Sequence, residues 1–499
     1  MNLQHWCELD ELIHISQTDE EYKQYAGLDF KKEIIEQLAE MKITNSKIFI
    51  DFFNDPRPLV LGAIEDIAYS KTKKLELELH NARNQKVSSS KYKFEGSPVN
   101  WSSWRQFNSH EKDHTNRKEV FDEFIVKTKL ITPIIEKRFL SIKEVYEEYN
   151  SSSKYGSEQN NNTNNKKLDP VSAYLEHENI SYDKLIEFIK SIGQRAKKPF
   201  EDALIDIGRT TLGKEPEYYD DFYFFRNKIY SDIDSSFLPV DPLIEVKKIL
   251  RTMEFDLSSI HFDSEDRKNK YPSPICFFVK TPYDVRILYK RESPYFDFQA
   301  CFHETGHAMH ASSVDANNEY WNKYRIPMGI AEVFSTFLEG LTKNSRYTSP
   351  LLGLDKEDKI INKLISRNHF MELFFVTFYA ANSLMKLEYW KRNLSIDQAC
   401  ELYSRRIKEY TGFEIPGEYW LLHHILPESI MYVPSYLLAA VRAAELNTYM
   451  KNRFGEKWWR EKESGRNLRD IMKPGASIDL SIFSNLDSSI FVKEITEQV

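Results

Sequence analysis

Along most of the chain, apolar residues recur at three- and four-residue spacing with charges between them, the period of a helix with one buried face. The run EVFDEFIVKTKLITPIIEKRFLSIKEVYEEY, from Glu119 to Tyr149, is the longest clear example. The pattern predicts a mostly α protein. It changes in two places. ICFFVK (275–280) and VRILYK (285–290) are short β-branched and aromatic runs separated by TPYD, which predicts a β-hairpin or small sheet. Residues 150–170, NSSSKYGSEQNNNTNNKKLDP, have almost nothing to bury and are expected to form a mobile surface loop. No internal repeat is present.

A chain of 499 residues is longer than one ordinary domain, so more than one lobe is expected. The division expected here is an N-terminal helical lobe over 1–200, containing the polar loop, and a second lobe over 201–499. The net charge of -8 comes from 68 basic and 76 acidic residues mixed along the chain, so no basic stripe for nucleic acid is expected. The most apolar stretch, LFFVTFYAANSLM from Leu373, falls short of a membrane span and sits beside Glu372. The first residues carry acids where a secretory signal carries positive charge. The four cysteines are far apart with no CxxC pair, which points to reduced thiols and a cytoplasmic location.

Candidate chemistry concentrates just after the hairpin, in ESPYFDFQACFHETGHAMHASS. Ser293 suits an N-cap and Pro294 a first helical position, so a helix starts here. His303 and His307 are then one turn apart on one face, and two imidazoles can reach one metal ion. Glu304 points about 100° away from His303, yet stays near enough to take a proton from an attacking water. Gly306 costs a helix about 1 kcal/mol relative to alanine, which makes sense if another backbone or a substrate passes close. Position 313, where a metzincin has its third histidine, is Ser313; that class is excluded. His310 aims away from the first two histidines and is a candidate substrate contact.

Downstream, MGIAEVFSTFLEGLT supplies Glu332, 25 residues past His307, and Glu339, two turns later on the same face. One can bind the metal while the other supports a histidine. Both lie among apolar residues, where carboxylates are costly unless a cation compensates them. Two imidazoles and one carboxylate with an open fourth position favour Zn2+. The hairpin beside this helix either pairs with an extended peptide through main-chain hydrogen bonds or simply roofs the core.

HExGHxxH followed at this distance by AEVFSTFLE resembles the oligoendopeptidase F and thimet oligopeptidase family of zinc peptidases, family M3. The likeness extends to DFYFFRNKIY (221–230), to the run from Asp284 into the motif, and to LRDIMKPGASIDLSIF (468–483), covering roughly 215–485. The resemblance implies a two-lobed helical clamshell with a deep channel. It implies His303, His307 and Glu332 as zinc ligands and Glu304 as general base. It also implies oxyanion donors from a histidine and tyrosines in LLHHILPESIMYVPSYLLAAVRAAELNTYM (421–450). His424 and Tyr436, twelve residues apart, fit the family's spacing, with His423 competing for the first role and Tyr432 for a second hydroxyl. Pro434 opens a helix that runs to about Arg453 and stops at Gly455. The loop between His424 and Tyr436 departs from thimet-type members, lacking their glycines and tight tyrosine cluster.

The leading expectation is a zinc oligopeptidase cutting internal bonds of short unstructured peptides. A carboxypeptidase or dipeptidyl carboxypeptidase on the same scaffold is the alternative, and needs an arginine for the free carboxylate, with Arg286, Arg405 and Arg442 as candidates. A third possibility, of another class, is a peptide-binding protein that does not turn over.

Overall fold

The structure is a computed structural model that describes residues 2–53, 56–151, 167–267, 270–271, 273–291, 293–422, 430–483, 486 and 488–496. Among the described residues it is mostly helical, 73% by content, with two small sheets of two and three strands, as the apolar periodicity predicts. Among the described residues no helix is long and apolar enough to cross a membrane. Most of the polar 150–170 segment (152–166) lies outside the described residues.

The chain forms two compact units, each assembled from separated stretches. One comprises Met1–Ala63, Asp232–Asn368 and Ser435–Gln498; the other is Ile64–Ser231 with His369–Pro434.

Among its described residues the second unit is mostly helical, with one antiparallel hairpin, Ser88–Phe94 with Ser97–Asn100. The long apolar run from Glu119 does not make one helix. It divides into His114–Lys127 and Thr132–Ser151 around a 3-10 turn at Thr128–Leu130. Pro133 explains the break, because it has no N–H to donate and therefore suits a helix start rather than an interior. Tyr182–Leu212 is amphipathic, and packs so tightly at Gly193 that a Cβ there would lie 2.7 Å from Tyr410 and from Ala380. Buried Arg117 is neutralised by Asp220 at 2.5 Å.

The first unit is built around a three-stranded sheet. Ile275–Lys280 and Asp284–Leu288 pair antiparallel as the sequence predicts, and a third strand, Ile260–Asp263, adds in parallel on the other side of Asp284–Leu288. Both faces of the sheet are covered. Ile260, Phe262, Cys276, Phe278, Val285 and Ile287 face the helix Pro294–Ser313 at Ala308 and Ala311. The alternate residues Ile275, Phe277, Val279 and Leu288 face the N-terminal helix Leu3–Tyr25 at Ile15, Tyr22 and Ala26. This is the period-two alternation of a strand satisfied on two sides.

The N-terminal helix is anchored by Asp10, which is fully buried. Its Oδ1 accepts from Lys42 at 2.8 Å and Asn45 at 2.9 Å, both on the helix Lys32–Phe52. Its Oδ2 accepts from the Tyr320 hydroxyl at 2.5 Å and from Arg325 at 3.4 Å.

Candidate metal centre

The helix that carries the two motif histidines starts where the sequence places it, with Ser293 as N-cap and Pro294 as first residue. The cap works in reverse of the usual sense. The Ser293 N–H donates to the Asp297 carboxylate at 2.5 Å, so the first turn holds the entering chain. From Cys301 to Ala311 every residue except His303 and Glu304 is buried.

Gly306 decides how closely the next helix, Met328–Lys343, can approach. A Cβ at Gly306 would stand 2.3 Å from the Phe334 carbonyl oxygen and 2.6 Å from the Ser335 Cα. No real side chain tolerates that, so it is a backbone that passes close there. The approach seats Glu332, 2% exposed, against the two histidines. Glu332 Oε2 lies 3.3 Å from His303 Nε2 and 3.4 Å from His307 Nε2. One donor atom from each of the three residues falls within 4.8 Å of the others, so the group can hold a metal ion. The donor set fits: ligands at 2.0–2.1 Å around a tetrahedral ion stand about 3.3 Å apart.

The neighbours fix how these donors point. Glu339 Oε2 accepts from His303 Nδ1 at 2.9 Å, which keeps a proton on Nδ1 and directs Nε2 toward Glu332. The other Glu339 oxygen, Oε1, is 2.9 Å from Lys343 Nζ. Ser335 donates to Glu332 Oε2 at 2.8 Å. His307 Nδ1 has no hydrogen-bond partner among the described residues. The His307 ring meets the Phe278 ring edge-on at 6.3 Å, so a strand residue sets its tilt.

The electrostatics follow from burial and charge. Burial alone would depress the basicity of His303, but Glu332 and Glu339 outweigh it and hold it well above the usual range. For Glu339, burial is outweighed by the Lys343 and His303 charges, which bring its carboxyl down to about 2. Burial pushes the Glu304 carboxyl up, against the pull of His303, His307 and the Cys276 N–H, with Glu332 adding to the rise. Glu304 thus sits beside the three donors and near the Cys276 amide on the outer strand of the sheet.

Of the other candidate residues, His310 is 1% exposed and packs its ring 4.5 Å from Phe334, in contact with the core. Tyr436 stands in the first turn of the helix Val433–Phe454, and Tyr432 directly precedes that helix. Both tyrosines are half-buried. The helix stops at Gly455, which takes φ +83°. His423 and His424 lie outside the described residues. Arg286 is engaged by Asp284 at 2.7 and 2.9 Å and by Asp19 at 2.7 Å. Buried Arg442 donates to the Gly329 carbonyl at 2.7 Å, and Arg405 is exposed.

Three contributors escaped the sequence reading. Lys343 was readable, because a lysine four residues after a glutamate on one helix is a standard pair. Ser335, three residues after Glu332, was readable on the same ground. The Cys276 amide was not, since nothing local says which strand residue will meet Glu304.

No curated protein matches the chain. Residues 245–479, which contain the sheet, both helices and every donor of the centre, match the sequence model of peptidase family M3. Through this region the chain is similar to the metallopeptidases of family M3.

Proposed function

We propose that this protein is a zinc-dependent oligopeptidase that hydrolyses internal bonds of short, unstructured peptides. The observation that carries the reading is the convergence of His303, His307 and Glu332 with Glu304 alongside. His303, His307 and Glu332 would hold the zinc. When bound, the ion supplies Lewis acidity, polarising the scissile carbonyl and making water a nucleophile at neutral pH. Glu304 takes the proton of the attacking water and delivers it to the leaving amine. Its raised carboxyl pKa suits that exchange, because an acid–base group works best near the operating pH. Tyr436, Tyr432 and one of His423 and His424 are the candidates for donors to the developing oxyanion.

The strand Ile275–Lys280 supports a peptide substrate. It is an outer strand of its sheet, and its Cys276 amide lies near the base. An extended peptide laid along it gains main-chain hydrogen bonds that do not depend on sequence. Arg286 and Arg442, two candidates for gripping a free C-terminal carboxylate, already have partners, which favours internal cleavage. All four cysteines are free thiols, in keeping with a reducing cytoplasmic setting.

The test is mass spectrometry of mixed peptides of about 5–20 residues after incubation with the protein, with a chelated sample and with Glu304→Gln. Internal fragments that vanish on chelation and in the variant are expected. Stepwise loss from the C-terminus would replace the reading with a carboxypeptidase, and zinc binding without cleavage would replace it with a peptide-binding protein.

A further inference from the structure

We propose that Lys343 is a positioning residue for the metal centre, fixing the Glu339 carboxylate so that His303 presents Nε2 to the ion. The proposal rests on the reading of His303, His307 and Glu332 as metal ligands. The geometry is a relay of two contacts. Lys343 Nζ stands 2.9 Å from Glu339 Oε1, and Glu339 Oε2 accepts from His303 Nδ1 at 2.9 Å. Each carboxylate oxygen thus has its own partner.

That division matters because the last torsion of a glutamate is soft and roughly two-fold, so a carboxylate held at one oxygen can swing. Held at both, it gives the imidazole a fixed acceptor, and with it a fixed tautomer and ring orientation. The helix supplies the register. Glu339 and Lys343 are four residues apart in Met328–Lys343, with the acid N-terminal to the base, the more favourable order. Lys343 is also the last residue of that helix, where a positive charge suits the helix dipole. Both side chains are about one-fifth exposed, so the ammonium keeps water on one side while the carboxylate turns to the ring.

The competing explanation is an ordinary ion pair at a helix end, which would affect folding and not the metal. The two are separated by measuring zinc affinity of the full-length protein against a chromophoric chelator, together with thermal unfolding of the metal-free protein. Removing a direct outer partner of a metal ligand costs 10- to 100-fold in affinity, so a residue one contact further out should cost roughly threefold to tenfold. Lys343→Met is expected to show that loss, with metal-free unfolding little changed. Lys343→Arg is expected to restore affinity. In a Glu339→Gln background, Lys343→Met should add nothing, because the two act through one path.

The role is overturned if Lys343→Met binds zinc as wild type does, if it lowers only metal-free stability, or if its loss is fully additive with Glu339→Gln. His303→Ala runs alongside. Should it leave zinc affinity intact, the ligand assignment itself fails and takes the proposal with it. A normal loss in His303→Ala with no change in Lys343→Met removes the role of Lys343 alone.

Discussion

At the scale of single residues, Glu304 and Gly306 carry the heaviest constraints. Glu304→Gln keeps the size and the Cys276 contact but cannot take a proton. It is expected to lower kcat by about 10²- to 10⁴-fold while zinc content, read by elemental analysis, stays at the wild-type level. Gly306→Ala tests the packing of the centre. Its methyl would meet the Phe334 carbonyl oxygen at 2.3 Å, and backbone cannot move aside as a side chain can. A stability loss of about 1–3 kcal/mol or more is expected from urea unfolding, along with weaker zinc binding as Glu332 is pushed back. Wild-type stability in Gly306→Ala would show that the two helices can separate without cost.

At the scale of elements, the sheet depends on the helix behind it as much as on the motif helix in front. The N-terminal helix Leu3–Tyr25 covers the rear face with Ile15, Tyr22 and Ala26, and His14 donates to the Phe278 carbonyl at 2.8 Å. Phe278 in turn touches His307, so the helix that covers the sheet is two contacts from a candidate metal donor. Asp10 ties that helix to its neighbours. Burial would raise the Asp10 carboxyl, but Lys42 and Arg325 overcome this and hold it well below the usual carboxylate range. A folded value below the unfolded one means that Asp10 contributes stability above the ordinary carboxylate pKa of about 3.9. That contribution is lost as pH falls from there through the lower folded value. Asp10→Asn is expected to destabilise the protein by about 3–5 kcal/mol at neutral pH and to flatten the acid limb of stability against pH in that window. An acid limb as steep as wild type would exclude Asp10 as its source.

For the whole molecule, the proposed metal binding is coupled to folding, because three candidate donors from two helices converge only in the folded chain. Zinc at about a thousand times its dissociation constant should stabilise the protein by about 4 kcal/mol. Calorimetric unfolding is expected to shift downward on chelation and to recover on adding zinc. In His303→Ala the chelator is expected to have little effect. A chelator-independent midpoint in the wild type would mean that the donors do not bind an ion with useful affinity.

Much of this protein is written in local spacing. Helical content follows from apolar residues three and four apart, and the strand pair from two short β-branched runs around TPYD. The one-turn separation of His303 and His307, and the two-turn separation of Glu332 and Glu339, are properties of a helix wherever it lies. These were legible because each depends on residues within a few positions of one another. The break of the long apolar run at Thr128–Leu130 was signalled by Pro133, although periodicity alone passes over it. What folding in three dimensions decided is which parts meet. The parallel strand Ile260–Asp263 joins the sheet through pairing across the chain, and Leu3–Tyr25 covers its rear face. Glu332 meets both histidines because Gly306 lets one helix backbone lie against another, and Glu339 takes His303 rather than His307. Periodicity states which face of an element is buried and is silent on its partner, since any apolar face satisfies the hydrophobic effect equally well. Packing without voids or overlaps is what selects the partner.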